Sequence, residues 1–144
     1  MADDQQNGRP SILPMWRAAL SDEAAFSKAV AEQVTLKGSV FASPISGRKK
    51  VWTAIRTAGD FTEKLTFIHE STTTERSYLE WELATLGQRY EGVTVLSFDS
   101  SGLIDGVAFH HRPLGGVLAI SAEMGRRLGN SFGAGMFFEP HEKP

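Results

Sequence analysis

From Leu65 to Arg112 the chain repeats with a period of two. Leu65, Phe67 and His69 alternate with Thr66, Ile68 and Glu70, and Ser77, Leu79, Trp81 and Leu83 alternate with Arg76, Tyr78, Glu80 and Glu82. Successive side chains of a strand point to opposite faces, so both segments read as strands, the second with one apolar and one charged face. Val93 to Phe98 is a β-branched and aromatic run, and Asp99-Ser100-Ser101-Gly102 after it has turn chemistry. Leu103 to Arg112 then returns with Val107, Phe109 and His111 on one face and Ala108, His110 and Arg112 on the other. Together these segments predict one curved antiparallel sheet.

Around the sheet the period becomes helical. Ile12 or Leu13, Trp16 and Leu20 form one stripe, with Pro14 tolerated in the first turn; Ser21-Asp22-Glu23 restarts a helix with the serine as cap and Phe26, Ala29 and Val30 buried. Val34 to Phe41 reads as a strand bent at Gly38, and Ser43-Pro44-Ile45-Ser46-Gly47 as a loop. Ser46 is the expected cap of a third helix that turns Val51, Trp52 and Ile55 to the core and stops at Gly59-Asp60. Val117, Ile120, Met124 and Leu128 mark a last helix, ending at Gly129-Asn130. Helices whose stripes cover the apolar face of one sheet define an α+β domain. It is expected over residues 11–131, with a disordered tail at 1–10 and a C-terminal tail at 132–144. The triplet Met136-Phe137-Phe138 in that second tail needs a docking place, on this chain or on a partner.

Composition removes several classes of function. A chain of 144 residues suits a single core, and without cysteine it can form no disulfide, thiolate metal site or thiol nucleophile. With 15 Lys and Arg against 17 Asp and Glu the net charge is −2, which argues against a nucleic-acid platform. The one basic run, Arg48-Lys49-Lys50, reads as the solvated first turn of a helix. No apolar stretch approaches the roughly 20 residues of a membrane span. The start Met1-Ala2-Asp3-Asp4-Gln5-Gln6 is acidic and polar, so a cytoplasmic location is expected by default. Gly115-Gly116 is followed by no Lys-Ser or Lys-Thr, and His110 and His111 diverge from a regular strand; neither a phosphate site, a metal nor any other cofactor is expected.

The order of elements, with Ser-Pro-Ile-Ser-Gly-Arg at 43–48, the hairpin Phe98-Asp99-Ser100-Ser101-Gly102-Leu103-Ile104, and Arg112-Pro113-Leu114 before the last helix, resembles the nuclear transport factor 2-like superfamily. Within it the chain looks most like the polyketide-cyclase-like (SnoaL-like) group, over residues 12–130. The resemblance implies a cone, also called cystatin-like: the curved sheet wraps the N-terminal helices around an apolar cavity, and its outer face often forms a dimer. Members include ketosteroid isomerases, epoxide hydrolases, cyclases and binding domains, so the fold names no reaction.

The catalytic sets that the resemblance brings with it are incomplete. An isomerase of this kind needs a carboxylate base, a carboxylic acid and a helix tyrosine, where this chain has Gly38, Thr94 and Trp16. An epoxide hydrolase needs Asp-Arg-Asp; Thr74-Glu75-Arg76 resembles the start of that strand, but Tyr78 and Phe109 stand at the aspartate positions. Cyclase-like members carry an aspartate late in the last strand, where His110, His111 and Arg112 stand here. His111 shares a face with Val107 and Phe109 and is the candidate acid or base. Asp105 shares its strand parity but stands roughly 20 Å away along an extended strand.

The sequence therefore predicts a small hydrophobic-ligand-binding domain, with an enzyme of the cyclase, isomerase or epoxide-hydrolase kind using a pocket histidine as the alternative. The expected walls are Leu79, Trp81, Leu83, Leu96, Phe98, Val107 and Phe109, with Trp16 and Trp52 from the helices. Ser77, Thr94, His69 and His111 would orient the ligand. Arg76, Tyr78, Glu80 and Glu82 form the expected homodimer face, with Tyr78 as its anchor.

Overall fold

The computed structural model describes residues 10–140, so the tail expected at 1–10 lies outside it except for Pro10. Helix α1 (Leu13–Ser21) and helix α2 (Glu23–Ala29) are separated by Asp22 alone. Asp22, not Ser21, caps α2: its carboxylate accepts the Ala25 N–H at 2.9 Å, while the Ser21 hydroxyl donates back to the Arg17 carbonyl. Strand β1 (Val30–Gly38) follows without a loop and starts four residues before the expected position. Both Val30 and Ala31 are buried, so the apolar end of the α2 stripe belongs to the strand.

After the short β2 (Ile45–Ser46) comes helix α3 (Arg48–Phe61), then β3 (Thr62–Thr72), β4 (Arg76–Thr85), β5 (Gln88–Phe98), β6 (Ile104–Arg112) and helix α4 (Leu114–Leu128). The N-cap of α3 is Gly47, and Ser46 lies exposed in β2 without capping anything. Arg48 is not simply solvated. Its guanidinium donates to the carbonyls of Ser27 and Val30 at 3.2 and 3.0 Å and so closes the end of α2, whereas Lys49 and Lys50 are exposed.

The sheet order is β2-β1-β6-β5-β4-β3. Strands β3 to β6 are antiparallel neighbours, as their alternation predicts, but β1 joins β6 in parallel, so the whole sheet is mixed. β4 and β5 are longer than their apolar runs because Leu86 and Gly87, with φ of 52° and 72°, turn the chain in two residues. A tight hairpin of this kind needs positive φ at both central positions, which glycine accepts freely and leucine accepts at a cost.

The helices bury Trp16, Phe26, Val51 and Ile55 against the concave apolar face, where Leu79, Leu96 and Val107 meet them. The residues expected as a C-terminal tail return to the body. Met136 and Phe137 are buried, the Ala42 N–H donates to the Met136 carbonyl at 2.9 Å, and the Phe137 ring packs edge-on to Phe41 with centroids 5.9 Å apart. Phe138 points outward, though its N–H donates to the Ser121 hydroxyl at 2.9 Å. The apolar triplet therefore docks in cis.

Candidate functional site

A cavity of about 290 Å³ lies between the concave face and the helices. From the sheet it is lined by Phe67, Trp81, Leu83, Thr94, Phe109 and His111. Facing them are Trp16 and Leu20 of α1, Ala54, Ile55 and Ala58 of α3, and Ile120 and Met124 of α4. Leu36, Val40 and Phe41 close one side. At the mouth, where α3 gives way to β3, Gly59, Glu63, Lys64 and Leu65 are exposed.

Among the residues expected at the pocket, Trp16, Trp81, Leu83, Thr94, Phe109 and His111 do line this space. The others do not. Leu79, Leu96 and Val107 point inward but are consumed by packing in the core, and buried Ser77 is hydrogen-bonded to Thr72 at 2.9 Å. Trp52 turns toward α2, its ring 5.2 Å from that of Phe26, and Phe98 packs half-buried on the core. His69 is exposed because a bulge after Phe67 shifts the register: Phe67 pairs with Trp81, but His69 pairs with outward-facing Glu80. One inserted residue carries every later side chain to the opposite face, so Glu70 comes inward instead. Of the helix walls the sequence names Trp16 alone correctly; Ile55, Ile120 and Met124 also line the space and stand on the apolar stripes from which they are legible.

One aromatic cluster organises the sheet wall. The Trp81 indole N–H donates to the Thr94 hydroxyl at 2.8 Å, and its ring meets the His111 ring edge-on at 5.0 Å. Gly92 lies beneath: a Cβ there would come 2.4 Å from the Trp81 ring and 2.1 Å from the His110 carbonyl. Only glycine lets the indole lie so close to β5.

Among the described residues His111 is the one imidazole in the cavity wall. Its backbone N–H donates to the Ser39 hydroxyl at 3.1 Å, but its side-chain Nδ1 is buried with no protein partner. Burial, reinforced by neighbouring His110, lowers its pKa from 6.5 to about 4. The ring is therefore neutral near pH ~7 and offers one donor and one acceptor. Asp105 does not orient it: a bulge places Asp105 between the pairs Phe98–Ile104 and Ser97–Gly106, where it is exposed and accepts from the Ser97 hydroxyl at 3.2 Å.

The positions where an isomerase or epoxide hydrolase of this fold would need carboxylates hold no acid. A Cβ on Gly38 would lie 2.9 Å from the Phe41 ring, so that ring fills the space where a side chain at 38 would project. Thr94 is occupied by Trp81, and Tyr78 and Phe109 lie on opposite faces of the sheet, so no hydrolase triad assembles. Among the described residues no three His, Asp or Glu side chains converge as metal ligands, and no helix is long and apolar enough to cross a membrane.

At the level of sequence, no protein-family model and no curated protein matches the chain. Solved structures do. A steroid delta-isomerase from Pseudomonas aeruginosa superposes with a TM-score of 0.74 at 20% identity, covering 83% of this chain and 90% of that one. An uncharacterized protein with a cystatin-like fold from Silicibacter pomeroyi gives 0.78 at 20% identity over 88% and 89%. A putative isomerase of the SnoaL-like family from Agrobacterium tumefaciens gives 0.56 at 19% identity over 71% and 95%. Likeness at such identities is a likeness of backbone: this chain has the nuclear transport factor 2-like fold, an α+β cone with, among the described residues, four helices and a curved six-stranded mixed sheet.

Proposed function

We propose that the protein binds a small apolar ligand in the cavity between the sheet and the helices, and that it does so without a built-in catalytic set. The observation that carries this reading is an open space of about 290 Å³ walled almost wholly by apolar side chains. That is close to the lower end of ligand pockets, roughly 300–1,000 Å³, and polar groups are few, as such sites require. The comparisons bear on the fold alone, and the steroid isomerase name of one neighbour belongs to that neighbour.

The enzymatic alternative would use His111 as acid or base. A conjugate acid with pKa about 4 makes a weak base and is almost absent as an acid near neutrality, and no carboxylate stands behind the ring. Binding is therefore the stronger reading. Titration with p-cymene, followed by backbone amide shifts, tests it: saturable shifts at Trp81, Ile55 and Met124 are expected, and they should vanish in Ala54→Phe, which fills the cavity. Absence of saturable shifts in the unmodified protein, with p-cymene and with its oxygenated relatives alike, overturns the proposal.

We further propose that a second copy of the chain packs on the outer sheet face. Tyr78 is 42% exposed there, paired across the ladder with Val95, and Arg76, Glu80 and Glu82 supply both charge signs for two-fold pairing. Glu82 already holds Arg89 at 3.2 Å.

A further inference from the structure

We infer that the cavity selects a neutral ligand that carries a hydroxyl group on a hydrocarbon body, with the hydroxyl seated on His111. This rests on the binding reading above and names the chemistry of the occupant.

The walls divide into a large apolar part and three uncharged polar groups, Thr62, Thr94 and His111. Thr62 donates to the Ala58 carbonyl at 2.9 Å and Thr94 is engaged by the Trp81 indole, whereas the His111 ring lines the cavity without a side-chain hydrogen bond to the protein; its Nδ1 is enclosed, which leaves the other ring nitrogen for an occupant. An imidazole in the wall that makes no hydrogen bond to the protein can take one from an occupant, so an occupant that pairs its reachable nitrogen binds with an advantage over one that cannot. A neutral imidazole presents an N–H at one nitrogen and a lone pair at the other, and a hydroxyl can donate or accept, so it satisfies the ring in either tautomer. A hydrocarbon can do neither.

Charged ligands fare worse. The charged side chains of the wall, Glu63 and Lys64, stand exposed at the mouth and have opposite signs. A carboxylate carried inward would lose its hydration with no cation to receive it, and an ammonium would meet no anion. The low pKa of His111 agrees, since it reports an interior that resists even its own positive charge. The volume limits the body of the ligand to a small ring system. Phe41 sets part of that limit: it fills the space above Gly38 and is held there by Phe137.

Three probes with nearly the same carbon skeleton separate the possibilities: p-cymene, its hydroxylated relative thymol, and the anion p-isopropylbenzoate. Their affinities for the full chain, measured by amide-shift titration, should rank thymol first by roughly tenfold over p-cymene, with the carboxylate weakest. In His111→Phe the thymol advantage should collapse to about onefold while p-cymene still binds, because only the hydrogen bond has been removed. Should that variant fail to fold, the imidazole nitrogen shifts of the unmodified protein decide: thymol should move Nε2 of His111 and p-cymene should leave it in place. Equal binding of thymol and p-cymene, or an advantage that survives in His111→Phe, overturns this inference and leaves the apolar-ligand reading standing. Carboxylate binding as tight as thymol overturns the requirement for neutrality, and failure of all three probes defeats the binding reading itself.

Discussion

The carboxylate of Glu70 on β3 accepts the backbone N–H of Ile12, 2.9 Å away across 58 positions of chain. The same group accepts from the Ser11 and Thr72 hydroxyls, each at 2.6 Å. The N-cap residue of α1, Ile12, has no capping side chain, and the Ser11 hydroxyl accepts only the Leu13 N–H, at 3.2 Å, so the sheet supplies a second cap and anchors the helix over the cavity. Burial raises the pKa of Glu70, but the hydrogen bonds from Ser11, Thr72 and Ile12 outweigh it and hold the carboxyl below its ordinary 4.5. A depressed carboxyl stabilises the fold above its unfolded pKa, and that contribution is lost as pH falls through the lower folded value. Glu70→Ala should cost about 1 kcal/mol at neutral pH after allowance for solvent screening, as measured by urea unfolding, and the gap should close in acid. A gap that persists unchanged at low pH would refute the ionic cap.

His111 sets a different pH window. Its folded pKa, about 4, lies below the ordinary 6.5, so the fold prefers the neutral ring. The stability this confers is complete above pH 6.5, declines as pH falls toward 4 and levels off below it, a total on the order of 3 kcal/mol. The charge that bears on it besides burial is that of neighbouring His110. Urea unfolding across that range should show the decline in the unmodified protein and a flatter profile in His111→Phe. Equal slopes in both would place the titration elsewhere.

Gly92→Ala drives a methyl group into the Trp81 ring and the His110 carbonyl. The expected cost is about 3 kcal/mol, at the upper end of overpacking, and the Trp81–His111 contact should be lost. Thermal unfolding reads the first and the indole N–H resonance of Trp81 the second. A variant as stable as the parent would show that β5 can move aside.

Phe137→Ala removes a ring that is 8% exposed and buttresses Phe41. A loss of about 3 kcal/mol is expected, with faster amide exchange in the Val40–Ala42 segment that the C-terminal residues clamp. Unchanged exchange there would mean that the segment holds its place alone.

Tyr78→Asp tests the proposed dimer. Sedimentation at micromolar concentration should show a dimer for the parent and a monomer for the variant, whose stability should otherwise be little changed because residue 78 faces outward. A monomeric parent ends the proposal.

The sequence by itself determined the elements whose pattern is local. Period two from Ser77 to Leu83 and from Val107 to His111 marked inward and outward faces correctly, and the stripe from Val117 to Leu128 marked the last helix, because burial imprints directly on those positions. Tertiary structure decided what depends on partners distant in the chain. The parallel seat of β1 beside β6, the cap that Glu70 gives α1 and the cis docking of Phe137 leave no short-range signal. The bulges at Phe67–His69 and Ser97–Phe98 likewise sent His69 and Asp105 outward against their parity. The cavity itself is a difference of volumes. Leu79, Leu96 and Val107 point the same way as Phe109, but they meet helix side chains that fill the space before them, and Phe109 does not. Alternation tells which way a side chain points; only the packed helices decide whether space is left in front of it.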